Sequence, residues 1–239
     1  MGYKLVFGDL HGRNHWKNIL ATVRWSKVIF LGDYVSSHDK LSADEQISNL
    51  KDILDLKKRH PERVILCRGN HDMQHLGYYW AECCGYFPDV AKWMQDNKEE
   101  FLNATQWVYI DEDLKTIFSH GGVSKVWLEN QKLDLYNINN IEPCEVFGFI
   151  PDRWSDNVGD SPTQPPTWIR PTSLVKNMVD GWNQIVGHTP QENIKTVDYN
   201  GLQLTLCDTM PNYYLRILKD GNVIIKDFKK IEVKDEDKS

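Results

Sequence analysis

The sequence predicts an α/β protein, and three observations carry that prediction. Apolar runs of strand length occur at "KLVF" (4–7), "KVIFL" (27–31) and "RVILC" (63–67). Segments of helical period separate them. Each run ends in a glycine-flanked polar cluster: "GDLHG", then "GDYVS", then "GNHD". The runs are continuous rather than alternating, which suits strands buried on both faces of a parallel sheet.

The elements follow in order. In "NHWKNILATVRW", Trp16, Ile19, Leu20 and Val23 recur at helical spacing. In "SADEQISNLKDILDLKKRHP", Ser42 and Glu45 form a capping box. Ile47, Leu50, Ile53, Leu54 and Leu56 give that helix its apolar stripe. Basic residues fill its last turn, which suits the helix dipole, and Pro61 follows. The result is strand–helix–strand–helix–strand, the right-handed crossover pattern.

Residues 73–107 are rich in Trp, Tyr and helix formers. They read as one or two helices beside the core, with Trp80, Trp93 and Trp107 inside that layer. "KTIFSHGG" (115–122) returns to strand and a glycine turn. Residues 137–172 hold six prolines and few periodic apolar positions, a long loop of the kind that usually serves a site. Trp154 and Trp168 in it are candidates for a substrate wall. "QIVGHT", "LQLTLCDT", "YYLRIL" and "NVIIKDF" then read as four strands, the last two joined by the hairpin signal "KDGN". With no helices between them, they predict a second sheet facing the first. The expected organisation is one domain over 1–230, with a helical insert at 73–107 and a Pro-rich loop at 137–172. A charged tail covers 231–239.

Composition sets limits on partners. At 239 residues, 41% hydrophobic and 26% charged, the chain can bury a sizeable core. Its net charge of −6 argues against a bulk nucleic-acid partner. No stretch approaches the roughly 20 apolar residues of a membrane span, and the N-terminus lacks a signal-peptide pattern. Five cysteines, an odd number with no CxxC pair, read as free thiols in a reduced, cytoplasmic compartment.

The polar clusters converge. "SHGG" and "GHT" end two later strands in the same way. Ligands of open α/β sheets bind at the carboxyl ends of strands. Five strand ends therefore bring Asp9, His11, Asp33, Asn70, His71, His120 and His188 to one rim. Carboxylate, amide and imidazole donors suit first-row divalent cations such as manganese, iron or zinc, and no thiolate site competes. Six ligands exceed what one open catalytic metal needs and fit two, with a carboxylate shared. His71 is then free to act as a general acid. His15, His38, His60 and His75 read as exposed or structural, with His38 and His75 near motifs.

In this order and strand context, GDxHG, GDxV, GNHD, HGG and GH resemble the calcineurin-like metallophosphoesterases, from residue 8 to 189. The pattern is most similar to the phosphoprotein phosphatase branch and its bacterial and phage relatives. The resemblance implies a four-layer α/β/β/α sandwich of two mixed β-sheets flanked by helices. It implies one metal held by Asp9, His11 and Asp33, and a second by Asp33, Asn70, His120 and His188. The expected cofactors are two divalent ions, manganese first, with iron, zinc or nickel as alternatives. It also implies in-line attack by a metal-activated water, with His71 as proton donor.

For phosphate, Arg68 precedes "GNHD" as in the phosphatase branch. Arg170 lies in "WIR", similar to a bacterial phosphate-binding segment, and Arg13 follows the first motif. Arg153 in "RWSD" is a weaker candidate. One departure stands out. The branch reads GDxVDRG, and this chain has Ser36 and Ser37 where that Asp and Arg stand. The expectation is that Asp39 or Asp72 replaces the Asp beside His71, and that Arg170 or Arg13 replaces the Arg. The expected substrates are phosphomonoesters, phosphoserine and phosphothreonine of proteins first, with small phosphoesters also in reach. Two alternatives stay open: a nucleotide phosphohydrolase acting on dinucleoside polyphosphates, cyclic phosphates or RNA ends, and a binding or scaffold protein that has lost turnover.

Overall fold

The computed structural model describes residues 2–81, 83–151, 160–209 and 212–228. Strand β1 (Tyr3–Phe7) leads through helix α1 (Trp16–Thr22) to β2 (Trp25–Phe30), then through α2 (Ala43–Arg59) to β3 (Val64–Leu66). The capping box forms as the sequence predicts: the Glu45 N–H donates to Ser42 Oγ, and the Glu45 carboxylate accepts from the Ser42 N–H. Next come α3 (Asn70–His75), α4 (Pro88–Asp96) and α5 (Lys98–Ala104). They are followed by β4 (Val108–Asp111), β5 (Thr116–Ser119) and α6 (Lys125–Gln131). Two short 3-10 turns, Leu135–Asn140 and Glu145–Phe147, lie in the Pro-rich stretch before α7 (Pro171–Lys176). The chain closes with β6 (Asn183–Val186), β7 (Lys195–Tyr199), β8 (Leu202–Leu206), β9 (Tyr213–Ile217) and β10 (Val223–Asp227).

These strands make two mixed five-stranded sheets, β10-β9-β1-β2-β3 and β4-β5-β6-β8-β7. β1, β2 and β3 run parallel, as do β5, β6 and β8. Alternate residues of the first sheet face opposite ways. Leu5, Phe7, Val28, Phe30, Val64 and Leu66 meet the helices, packed with Trp16, Ile19, Leu50, Ile53 and Leu54. Val6, Ile29, Leu31, Ile65 and Cys67 meet Phe118, Ile185 and Cys207 of the second sheet. The far face of that sheet carries Val186, Leu204 and Leu206 under Leu174 of α7. Four layers result, and burial on both faces explains why the first three strands are apolar throughout.

Two sequence expectations change. The late strands are five rather than four, and they divide: β6, β7 and β8 join the second sheet, whereas the β9–β10 hairpin pairs antiparallel with β1. β9 completes the first sheet because Leu215 and Ile217 supply its inter-sheet face. β4 is a strand that the sequence pattern does not predict. Only Val108 and Asp111 of its four residues are buried, so its apolar pattern is weak. Within 73–107, α4 and α5 pack beside α2, and Trp107 is fully buried. Among the described residues, no helix is long and apolar enough to cross a membrane.

Candidate metal centre

Parallel strands place their carboxyl ends on one edge, and the two sheets bring those edges together. Asp9 and His11 follow β1, and Asp33 follows β2. Asn70, His71 and Asp72 open α3 after β3, His120 follows β5 and His188 follows β6. Backbone bonds lock the loops: the N–H groups of Leu10 and His11 donate to Asp33 O, and Gly187 N–H donates to His120 O. His11, Asp33, Ser36 and His188 all have positive φ, between 46° and 69°, unusual for residues with a side chain. Such backbone persists where surrounding structure over-determines it, typically at functional sites.

One atom each from Asp9, His11 and Asp33 lies within 4.8 Å of the others, all buried. On the other side of Asp33, His120 Nε2 is 3.4 Å from Oδ2 and His71 Nε2 is 3.9 Å from it. His188 belongs through its backbone, whose N–H donates to both Asp9 oxygens at 3.0 and 3.1 Å, and its ring centroid is 4.9 Å from that of His120. Gly69 permits the crowding, since a Cβ there would collide with the Asp33 carboxylate and its backbone nitrogen.

The histidine tautomers are legible from their partners. His11 Nδ1 lies 3.0 Å from Val35 O, His120 Nδ1 3.0 Å from Leu31 O, and His188 Nε2 3.1 Å from Trp168 O. A carbonyl only accepts, so each of these nitrogens carries the proton and the other nitrogen presents a lone pair. Burial holds His11 and His120 down to about 3, with repulsion from the His71 and His38 rings adding to His11. Burial also lowers His188 well below its ordinary value. Neutral imidazoles are the form that ligates a metal.

The carboxylates point the same way. Asp9 and Asp33 are pushed well above the usual carboxylate range, first by burial and then by neighbouring Asp208, Asp33 and Asp72 charges. His120 Nε2 also faces Asn70 Oδ1 at 2.8 Å, two electron-rich atoms with no proton between them when the ring is neutral. A cation relieves all of these at once. The donor set therefore fits divalent metal, with Asp33 between the Asp9–His11 side and the Asn70–His120 side.

The remaining candidates separate. Asp72 is fully buried and its carboxylate accepts from the N–H groups of Asp33, Tyr34 and Gly69 at 2.9, 2.8 and 2.9 Å. It stitches the β2 loop to α3 through these backbone groups, while burial pushes it up to about 7. Asp39 pairs with Arg13 at 2.7 Å, half-exposed at the rim. Neither replaces the missing Asp. The His71 Nδ1 partner is Ser36 Oγ, at 2.8 Å. Arg68 is likewise a correction: its guanidinium donates to Thr105 Oγ1, Thr105 O and Leu102 O and stacks 4.7 Å from the Trp107 ring centroid. Three of its five N–H donors are directed into the helical layer, where α5 ends with bare carbonyls. Arg170 stays near the centre, its Nη1 donating to His188 O and Thr189 Oγ1. It lines a cleft of about 480 Å³ with Thr172, Thr189, Gln191 and Lys195. Arg153 and Trp154 lie outside the described residues. His75 is structural, Nδ1 on His71 O and Nε2 accepting from Phe87 N–H.

Three residues were not singled out for the site from sequence. Ser36 departs from the family pattern in sequence and stands beside the His71 ring in the structure. His38 sets its ring edge-on to His11, with centroids 4.6 Å apart. Asp208 ends β8 in the pattern of the other strand ends, and burial raises it to about 6 against the pull of Arg13 and Arg170. "LCDT" lacks the flanking glycine that marked the others.

Residues 4–223 match the family model described as calcineurin-like phosphoesterase. The chain is similar to the serine/threonine-protein phosphatase 4 catalytic subunit of Kluyveromyces lactis, 25% identical over 68% of this chain and 51% of that protein. It is also similar to the serine/threonine-protein phosphatase PP2A-like PPG1 of Saccharomyces cerevisiae, 29% identical over 63% of this chain and 41% of that protein. The chain thus spans about half the length of these curated relatives or less. Among solved structures, a serine/threonine phosphatase from Saccharomyces cerevisiae superimposes with TM-score 0.60 at 17% identity, covering 98% of this chain and 82% of that one. A cold-active protein-tyrosine phosphatase from a Shewanella species gives 0.60 at 17%, covering 94% and 80%. At these identities the two structures establish the shared fold of two mixed sheets flanked by helices.

Proposed function

This chain belongs to the calcineurin-like phosphoesterase family, and from that premise we propose that it hydrolyses phosphomonoesters, with phosphoserine and phosphothreonine of proteins as the main substrate class. The observation that carries the reading is the meeting of Asp9, His11 and Asp33 with His120 at one rim. Asp9, His11 and Asp33 would hold one divalent cation, and Asp33, Asn70, His120 and His188 a second, manganese being the first choice for both. When bound, the cations supply Lewis-acid charge that polarises phosphoryl oxygens and acidifies water at neutral pH.

The chain's own residues do the rest. Asp33, shared by both ligand sets, is fixed by the His71 N–H on Oδ1 and by its own N–H on Asp72. Arg170, at the mouth beside His188, takes the non-bridging oxygens of the phosphoryl group, for which a planar guanidinium is suited. Arg13 supplies further positive charge from the rim. His71 stands with Nε2 toward Asp33 and hands a proton to the leaving oxygen. Burial holds His71 down to about 4, and an arriving phosphate dianion raises it, so on substrate binding the ring takes a second proton from solvent, on Nε2, and this is the proton it passes to the leaving oxygen.

The test is hydrolysis by the purified chain with manganese added. Substrates would be an aryl phosphate, a panel of serine- and threonine-phosphorylated peptides, and a panel of dinucleoside polyphosphates. Release of phosphate from the peptides supports the proposal. Turnover confined to the nucleotides overturns the substrate class. No release with any divalent cation, while elemental analysis finds metal bound, overturns the activity.

A further inference from the structure

We propose that Ser36 is the positioning residue for His71: its hydroxyl, locked onto the carbonyl of Gly85, accepts from His71 Nδ1–H and thereby turns Nε2 toward the reacting phosphoryl group. The proposal rests on His71 serving as proton donor in the function proposed above.

The direction of each bond follows from the chemistry of its partners. Ser36 Oγ lies 2.6 Å from Gly85 O and 3.4 Å from Cys84 O. Both are carbonyls and only accept, so the single hydroxyl hydrogen goes to the nearer, Gly85 O. The oxygen lone pairs then face His71 Nδ1 at 2.8 Å, and that contact is a hydrogen bond only when Nδ1 carries the proton. A neutral His71 has one ring proton. With it on Nδ1, Nε2 is left bare on the side of Asp33 Oδ2. The opposite tautomer would need Ser36 to donate to Nδ1, stripping Gly85 O of its partner.

The local backbone is built around this hydroxyl. Ser36 is fully buried with φ 69°, a left-handed conformation that disfavours most residues. Gly85 has φ 76°, and a Cβ there would stand 2.5 Å from Ser36 Oγ. A glycine at position 36 would relieve the backbone. The serine is therefore kept at a conformational cost, and the one group it adds is the hydroxyl. A carboxylate at this position could accept from His71 but has no hydrogen for Gly85 O, so the carbonyl at position 85 and the serine at position 36 form one device.

Ser36→Gly separates positioning from structure, because it removes the hydroxyl while easing the backbone. Ser36→Asn is the conservative variant: asparagine tolerates positive φ, its side-chain oxygen accepts and its amide donates. The first readout is long-range proton–nitrogen NMR of histidine-labelled full chain, which reports each ring's tautomer without turnover. Wild type is expected to show His71 with the proton on Nδ1, and Ser36→Gly a mixture or the other tautomer. The second readout is turnover of a serine-phosphorylated peptide relative to an aryl phosphate, since only the poor leaving group depends on protonation. Ser36→Gly is expected to lower that ratio roughly 10- to 100-fold, within the range of general-acid effects, in kcat rather than KM. Ser36→Asn is expected to restore it. Nε2-protonated His71 in the wild type overturns the proposal, as does a Ser36→Gly chain with unchanged tautomer and unchanged ratio. If no phosphoester is cleaved but the tautomer depends on Ser36 as described, the proposed activity fails and the Ser36–His71 link stands.

Discussion

Replacing Asp72 tests whether its carboxylate is a structural clamp or an acid–base group. It takes three backbone N–H groups, from Asp33, Tyr34 and Gly69, at 2.8–2.9 Å in a spot with no solvent access. Asp72→Ala leaves all three donors without an acceptor, at roughly 1–3 kcal/mol for each buried orphan. The minimum is then about 3 kcal/mol, a large part of the ~5–15 kcal/mol that holds a domain folded. Asp72→Asn keeps one oxygen for the Asp33 and Gly69 donors but turns an NH2 toward Tyr34 N–H, so one orphan remains and about 1–3 kcal/mol is lost. Urea denaturation monitored by tryptophan fluorescence measures both, the midpoint falling while the slope stays constant. Because Asp33 and Gly69 are anchored here, manganese affinity is expected to drop along with stability. Unfolding free energies unchanged within about 0.5 kcal/mol for both variants would refute the clamp. If activity on poor leaving groups alone were lost, Asp72 would regain an acid–base role.

Metal loading is expected to stabilise the fold more at pH 7.5 than at pH 5.5, as read from the manganese-induced rise in Tm. Asp9 and Asp33 hold protons above the normal carboxylate range in the metal-free fold, so a cation must displace them and affinity climbs with pH. His11 and His120, both down at about 3, are already neutral at either pH and add no such dependence. The arginines are expected to behave oppositely to each other. Arg68→Ala lowers stability by roughly 2–3 kcal/mol, since Leu102 O and Thr105 O lose a buried partner, and leaves KM alone. Arg170→Ala raises KM for a phosphopeptide about tenfold or more, as loss of a phosphate contact predicts, and lowers the urea midpoint less than Arg68→Ala does, since one carbonyl, His188 O, loses its donor.

What was legible in the sequence was whatever repeats locally. Ser42 and Glu45 are three residues apart, and their box forms because its whole geometry lies within one turn. The first three strands were visible because both their faces are buried, which makes them apolar without interruption. Asp9, Asp33 and His120 were visible because each ends such a run beside glycine. β7 was not, because it is an edge strand with four of its five residues exposed and no apolar period to read. The β9–β10 hairpin was seen but placed in the wrong sheet. Its pairing with β1 joins residues more than 200 positions apart, and no local pattern records it.

The side chains whose roles changed share one feature: backbone atoms are among their main partners. A carbonyl or an N–H is present at every position, so no residue type in the sequence announces it. Arg68 was read as a phosphate ligand by its neighbour Gly69, yet its guanidinium answers to the open end of α5. Asp72 looked like a spare carboxylate for His71, yet three N–H groups claim it. Ser36 looked like a lost charge. It carries a role only because Gly85 turns its carbonyl inward, and a glycine 49 positions away gives no sign of where its oxygen points. Ligand residues converge by type and are readable as a set. The residues that aim them are chosen by backbone geometry, and Ser36, which stands where the family's usual GDxVDRG has its second Asp, is proposed to be of this second kind.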